Sequence, residues 1–255
     1  MPDTLPISCF IIAQNEADRI GATIESVRGL VSEVIVVDSG STDGTQDVAR
    51  RHGATVIHHE WKGYGPQKRF AETQCKNLWL LNLDADELLT SALREEIRTA
   101  FMSGEPEIKA WFMNIVEVLP GQKVPNRFSH IVKAVRFYHR DAGAYSESPV
   151  HDRVQLKPGT MTKVLEASCE HRSSRGIFHS VEKLNRYSSM LADDMQSKAR
   201  SKYLSALLLP IIFLLAFLKA YLFRKYVFQG MSGFVNSMIY AMSRFLKFAK
   251  HWEKN

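Results

Sequence analysis

Residues 79–87, Trp-Leu-Leu-Asn-Leu-Asp-Ala-Asp-Glu, decide the fold. The apolar run over residues 78–83 reads as a buried strand, and it ends abruptly in two carboxylates, Asp84 and Asp86. Side chains two apart on an extended chain share a side, so both carboxylates are expected to project from the strand's C-terminal end. In open α/β sheets that is the end at which ligands bind. Two convergent carboxylates there suit a hard divalent cation, and a cation in turn suits a diphosphate. The plainer alternative is an acidic strand-to-helix turn whose Asp caps a helix starting near Thr90.

Outward from this stretch, the first hundred residues alternate apolar runs with helical patterns. Residues 7–12, 34–37 and 55–58 read as further strands. Residues 17–29, 44–52 and 65–74 read as helices. Ile20, Ile24 and Val27 stand at helical spacing in the first of these, and Gly29 and Gly53 stand at helix ends. Repeating strand–helix units predict a Rossmann-like, mostly parallel α/β sheet with helices on both faces. After Ser103 the alternation stops. Residues 109–118 and 131–138 read as strands around a loop holding Pro120, Gly121 and Pro125. Residues 147–156 read as a loop leading into a strand, and 181–197 as a helix.

The chain has 255 residues, 45% hydrophobic and 24% charged, enough for one large domain or one domain with an appendage. Cys9, Cys75 and Cys169 have neither metal-ligand spacing nor the density of a disulfide framework, which fits a reducing compartment. No signal peptide is expected after the non-basic Met-Pro-Asp-Thr start. The net charge of +6 hides an asymmetry: from Lys198 onward ten Lys or Arg face one acid, Glu253, a net +9, which leaves −3 on the preceding residues. A basic segment suggests nucleic acid or an anionic membrane. Here the charges are interleaved with Leu, Ile and Phe, which favours a membrane surface, and no nucleic-acid partner is expected. Residues 204–218 carry no charge, but Ser205 and Pro210 interrupt their apolar character, and a span needs about 20 residues, a length reached only by including Lys219 as a snorkelling residue. Residues 230–252 are amphipathic. The expectation is a domain over 1–197 and a membrane-associated helical tail over 198–255, its helices lying in or dipping into the cytoplasmic leaflet in preference to a single span.

The other strand tips also carry polar groups. The second strand ends in Asp38, followed by Ser-Gly-Ser-Thr-Asp-Gly-Thr, a small turn whose amides a ligand can approach closely. Asp38 is placed to accept a hydrogen bond from a uracil or ribose; the alternative is a tight turn capped by Asp43 or Thr42. The first strand ends in Gln14-Asn15-Glu16. There is no Gly-x-Gly-x-x-Gly after the first strand and no Gly-x-x-x-x-Gly-Lys, so a dinucleotide site is disfavoured and a P-loop excluded. A cation on Asp86 would then hold the phosphates, with Lys68, in Gly-Tyr-Gly-Pro-Gln-Lys-Arg, as a second positive charge. Trp61, just before this segment, and Tyr64, within it, read as packing residues.

Four strings, Ile-Ile-Ala-Gln-Asn-Glu, Val-Val-Asp-Ser-Gly-Ser-Thr-Asp-Gly-Thr, Gly-Tyr-Gly-Pro-Gln-Lys and Leu-Asn-Leu-Asp-Ala-Asp-Glu, occur in order. Together they resemble the family 2 glycosyltransferases of GT-A fold, and more narrowly the bacterial branch that adds β-linked glucose to the lipopolysaccharide core. The resemblance is strong over residues 7–90 and moderate at Pro149-Val-His-Asp-Arg and over residues 226–250. It implies a UDP-sugar donor and a lipid-linked saccharide acceptor. Asp38 would bind the base with Asn15 and Glu16 nearby, Lys68 would stand by the diphosphate, and Asp84 would face the ribose or donor sugar. Asp86, with Asp84 beside it, would hold Mg²⁺ or Mn²⁺ against the diphosphate. Such enzymes invert the anomeric centre in one displacement that needs a general base. Asp152 is the candidate; relatives often have His-Glu where this chain has His151-Asp152, so the carboxylate is set back by one methylene. Asp141 and Glu147 compete for the role, and a surface pair of Asp152 with Arg153 is the plainer alternative. His171, in Cys-Glu-His-Arg, would approach the metal or the diphosphate. Three other readings stay open: a polyprenyl phosphate acceptor, which needs no base; a non-catalytic nucleotide-binding scaffold at the membrane; and a nucleotidyltransferase, disfavoured because Gln14-Asn15-Glu16 is no Gly- and Arg-rich phosphate loop.

Overall fold

The computed structural model describes residues 4–193, 195 and 202–254. The chain divides into two units, Met1–Val116 with Ile131–His171, and Glu117–His130 with Arg172–Asn255. The expected boundary at 197/198 lies outside the described residues.

The first unit runs β1 (Leu5–Ala13), α1 (Ile20–Val27), β2 (Val31–Asp38), α2 (Thr45–Arg51), β3 (Thr55–His58), α3 (Tyr64–Gln74), β4 (Trp79–Asp84), β5 (Glu87–Leu89), α4 (Ser91–Ala100), β6 (Ala110–Glu117), β7 (Ile131–His139), β8 (Gly143–Tyr145), β9 (Val154–Leu156) and β10 (Thr162–His171). Eight strands form one sheet in the order β3-β2-β1-β4-β7-β6-β10-β5, and β8 pairs with β9 apart from it. The first four are parallel, and their C-terminal ends are level: Ala13 pairs with Asp38, Ile12 with Asp84, and Asp38 with His58. That register is what gathers the polar strand tips. Both faces of β1, β2 and β4 are covered, which is why they read as continuous apolar runs, while β3 is a short, half-exposed edge strand. Cys9, Ile11 and Leu81 pack under α1 and α4 on one face. Phe10 and Leu80 pack with Ala71 of α3 and with Cys75 just after it on the other.

The expectation of a mostly parallel sheet needs correction. β7 is antiparallel to β4 and to β6, and β5 is antiparallel to β10, so the sheet is mixed. Parallel neighbours need a crossover, usually a helix; β6 and β7 are joined through residues 118–130 without one. The sheet also curls. β5 follows β4 after only Ala85 and Asp86, yet stands at the far end of the strand order.

The second unit holds α5 (Ile177–Asp193), α6 (Lys202–Leu218) and α7 (Gly230–Glu253). α5 starts four residues before the expected 181, and the expected end at 197 is outside the described residues. α6 runs into a π-turn at Lys219–Phe223, and the chain reverses through Lys225 (φ +60°) and Gly230 (φ +58°). α7 buries Gly233, Ser237 and Ala241, one residue per turn, and exposes Met231, Phe234, Met238 and Met242. Among the described residues no helix is long and apolar enough to cross a membrane. The 17 residues of α6 measure about 25 Å at 1.5 Å each, short of a hydrocarbon core of about 30 Å.

Candidate active site

The tips of β1 and β2 are knitted together by their own loops. Asn15 adopts a left-handed conformation (φ +57°) that few non-glycine residues accept. Its N–H donates to Ser41 Oγ (2.8 Å), and its Oδ1 accepts from the Thr42 N–H (2.9 Å). The N–H of Glu16 donates to Thr45 Oγ1 at 2.7 Å and that of Ala17 to Asp43 Oδ2 at 3.0 Å. Asp38 is wholly buried. It accepts from the N–H groups of Gly40 (3.0 Å) and Ser41 (2.9 Å), from Gln46 Nε2 (2.8 Å) and from the Ser41 hydroxyl. The structure thus gives Asp38 a part in bracing its own turn, with three of these hydrogen bonds on Oδ1 and one on Oδ2.

At the end of β4, Asp84 and Asp86 meet different cations. Asp84 Oδ2 lies 2.8 Å from Arg136 Nη2, and its Oδ1 lies 2.8 Å from Lys68 Nζ. Burial opposes ionisation of Asp84, but Arg136 and Lys68 outweigh it and hold the carboxyl well below the usual carboxylate range. Asp86 Oδ2 stands 3.4 Å from Arg19 Nη1 and 3.4 Å from His171 Nε2. Burial works against its charge too, and the hydrogen bond and charge of His171, then Arg19, pull its pKa below normal. His171 in turn titrates above normal: burial lowers its pKa, and Asp86 more than restores it. The alternation of side chains expected for Asp84 and Asp86 stops at the strand's end, because Asp86 sits in the turn before β5. His171 reaches Asp86 because β10 pairs with β5, placing it opposite Glu87.

Lys68 is not the open phosphate cation that its motif suggested. It is 1% exposed, and its ammonium lies 2.6 Å from Asp152 Oδ2 as well as 2.8 Å from Asp84. Burial and the Arg136 charge disfavour its protonation, yet Asp84, Tyr145 and Asp152 raise its pKa above the ordinary lysine value. Asp152 therefore pairs with Lys68, and not with Arg153 as in the plainer alternative to its role as a base. Of its competitors, Asp141 has a side chain 84% exposed beside His139, and Glu147 is exposed. His151 helps shape the loop through its backbone, accepting from Ser146 Oγ (2.8 Å) and donating to Ser148 Oγ (3.0 Å). Trp61 and Tyr64 pack edge to face, centroids 4.8 Å apart.

Sequence reasoning missed Arg136, Arg19, Tyr145 and Glu87. Arg136 donates to Asp84, to Glu87 Oε1 (3.2 Å), to Tyr145 Oη (3.2 Å) and to Asn82. Arg19 also pairs with Glu16. A signal for Arg136 was present: one charged residue inside the apolar run Ala-Val-Arg-Phe-Tyr forecasts a buried, paired charge. Among the described residues, no group of three or more His, Cys, Asp or Glu side chains is arranged to hold a metal ion. The pair Asp86–His171 offers one oxygen and one nitrogen.

The family model described as glycosyl transferase family 2 matches residues 8–108. A Rickettsia prowazekii protein named uncharacterized glycosyltransferase RP128 is 38% identical over 252 residues, covering 96% of this chain and 86% of its own. The lipopolysaccharide core biosynthesis glycosyltransferase LpsC of Rhizobium meliloti is 32% identical over 259 residues, covering 98% of this chain and 93% of its own. Two solved structures resemble the fold at low identity. Glucosyl-3-phosphoglycerate synthase from Mycobacterium tuberculosis gives a TM-score of 0.51 at 19% identity, over 73% of this chain and 77% of that one. Mannosyl-3-phosphoglycerate synthase from Rubrobacter xylanophilus gives 0.50 at 16%, over 77% of each. These likenesses support a GT-A type of α/β fold with a curled, mixed sheet. Level strand tips ending in the Asp84–Asp86 turn, the family match over that half, and relatives similar over nearly the whole length together place this chain in glycosyltransferase family 2.

Proposed function

We propose that this chain is an inverting glycosyltransferase that moves a sugar, glucose in our reading, from a UDP-sugar to a lipid-linked saccharide in assembly of the lipopolysaccharide core. We place it at the cytoplasmic face of the bacterial inner membrane, with the basic, apolar C-terminal segment on the lipid. The similarity to LpsC along nearly its whole length supports the acceptor class. The observation that carries the chemistry is the run of charges Asp152–Lys68–Asp84 at the strand tips, with Asp86 and His171 beside it.

The donor set fits a hard divalent cation that takes most of its ligands from phosphate and water. Asp86 Oδ2 and His171 Nε2 already converge, and His171 would give up its proton to ligate. In this reading Asp86 and His171 hold Mg²⁺ or Mn²⁺, while Asp84 is kept from that role by Lys68 and Arg136 and faces the ribose or donor sugar. Bound there, the ion would stabilise negative charge on the departing diphosphate. Asn15, Glu16 and Asp38 shape the wall against which the base rests. The acceptor oxygen attacks the anomeric carbon as the bond to the diphosphate breaks, and its proton passes to Asp152. Lys68 engages Oδ2 of that carboxylate, and Oδ1 is the proton acceptor. General-base help of this kind is typically worth about 10²–10⁴ in rate.

The test is transfer from UDP-glucose to isolated core acceptor. Asp86→Ala should abolish transfer with the fold intact, since Asp86 lies in a turn and not in the apolar core. Full activity in excess EDTA, with no metal retained, would overturn the metal role. Asp152→Asn should lower turnover by about 10² or more with donor affinity little changed. Turnover within about threefold of wild type would instead favour an acceptor that is already ionised, a polyprenyl phosphate.

A further inference from the structure

Residues 63–68, Gly-Tyr-Gly-Pro-Gln-Lys, have a structural relation that a phosphate-binding role leaves unexplained. They open α3, and the start of that helix is pressed against the loop between β8 and β9, residues 146–153, which carries Asp152. The N–H of Tyr64 donates to Pro149 O at 2.9 Å and that of Gly65 to Ser148 O at 3.1 Å. Two of the amide donors that a helix start leaves unpaired are thus satisfied by the loop's carbonyls. The approach is backbone to backbone. A Cβ on Gly65 would lie 2.2 Å from Ser146 O and 2.5 Å from Ser148 O, and one on Gly63 (φ +114°) would lie 2.6 Å from Pro149 Cα. One turn further on, Lys68 holds Asp152 and Asp84 with the same ammonium. Its Nζ stands 5.2 Å from the centre of the Tyr145 ring, and Tyr145 Oη donates to Asn82 Oδ1 of β4 at 2.6 Å.

We propose that residues 63–68 form a latch that sets the Asp152 loop over the end of β4, with Lys68 as a positioning residue for Asp152 and not a cation for the donor diphosphate. The inference rests on the reading of Asp152 as proton acceptor only for its catalytic consequence; the latch itself is a statement about the loop. Both glycines serve the close approach, and the lysine ties the loop to the strand that carries the donor-side carboxylates. One buried ammonium therefore spans Asp84 at the end of β4 and Asp152 of the loop.

The test uses the full chain and four variants: Gly65→Ala, Lys68→Met, Asp152→Asn and the double variant Lys68→Met/Asp152→Asn. Three measurements are made on each: hydrogen exchange of residues 146–153, calorimetric binding of UDP with Mn²⁺, and steady-state kinetics. Ser146 and His151 supply hydrogen-bonded amides in the loop to follow. Gly65→Ala and Lys68→Met should speed exchange in the loop while β1–β4 stay protected. They should leave UDP affinity within about threefold and lower kcat by about 10², the pattern of a lost transition-state interaction. The double variant should fall no further than Asp152→Asn alone, within about threefold, because both changes break one interaction. Should Lys68→Met prove unstable through its unpaired carboxylates, Gly65→Ala carries the test with no change of charge. Unchanged loop exchange in both variants overturns the latch, whatever Asp152 does. A loss of UDP affinity of about tenfold or more in Lys68→Met, with the loop still protected, returns the lysine to the diphosphate. If Asp152→Asn is fully active while the latch variants free the loop, the latch stands and the proton-acceptor reading falls.

Discussion

Arg136 shows what a single residue does here. Its guanidinium is buried and reaches Asp84, Glu87, Tyr145 and Asn82. Removing one partner of a buried charged cluster leaves buried charge uncompensated, at a cost of about 3–5 kcal/mol; here Asp84 would keep Lys68, and Glu87 would lose its guanidinium. Arg136→Met should therefore lower unfolding stability by that order in denaturant titrations. Arg136→Lys should recover only part, because an ammonium cannot reproduce the planar fork. A loss below about 1 kcal/mol for Arg136→Met would mean the carboxylates are already neutral in the folded protein. The pH dependence has a definite sign. The folded-state pKa of Asp84 lies below its unfolded value, so the contribution is complete above the ordinary carboxylate pKa of about 4 and is lost only as pH falls through the lowered value. Much of this was legible at the level of residue type: Asp38, Lys68, Asp84, Asp86 and Asp152 all stand at strand tips or beside them. Their partners were not. Which carboxylate meets which cation depends on β7 and β10, whose places in the sheet no local pattern specifies.

Among the elements, α7 makes the sharpest case. Its buried stripe is Gly233, Ser237 and Ala241, and a Cβ on Gly233 would lie 2.0 Å from the carbonyl oxygen of Tyr226. Replacing a mid-helix glycine by alanine ordinarily stabilises by roughly 0.5–1 kcal/mol. Overpacking costs about 1–3 kcal/mol, and here the obstacle is backbone, so the clash should win. Gly233→Ala is expected to lower the melting temperature; a rise would show that the turn before α7 yields at little cost. The strands β1, β2 and β4 were legible within a few residues because each holds a continuous apolar run, whereas β3 is a four-residue edge strand with Val56 and Ile57 half-buried. β5 was not, since three residues carry no periodicity. β10 was missed although Leu165, Ala167 and Cys169 alternate with Glu166, Ser168 and Glu170, the two-residue period of a half-buried strand. Strand direction after β4 was not legible for another reason: direction is set by the connection, and the pattern within a strand is the same either way.

At the scale of the whole molecule, the exposed surface of the second unit bears on where the protein resides. In the second unit Leu214, Leu215, Leu222, Phe228 and Met231 are exposed, and Phe223 is 81% exposed, with Lys219, Arg224 and Lys225 among them. Exposed apolar surface of this kind marks an interaction site, and the interleaved cations suit an anionic leaflet. The protein is expected to sediment with membranes and to be released by detergent but not by high salt. Release by salt would reduce the attachment to charge alone, and a wholly soluble protein in low-salt lysate would defeat it. The first unit has a global property of its own. β4 and β5 are two residues apart in the chain, while β7, β6 and β10 stand between them in the sheet. That run of strands is a ring whose last joint is covalent: the peptide bonds through Ala85 and Asp86 close it where a barrel would use a ladder of hydrogen bonds. A circular permutant with new ends between Ala85 and Asp86 would keep every side chain and still open the ring. One with ends in the turn after α4 would leave the ring shut. The rigidity that holds the carboxylates is to this extent a matter of connectivity, and moving the chain ends measures it where no substitution does.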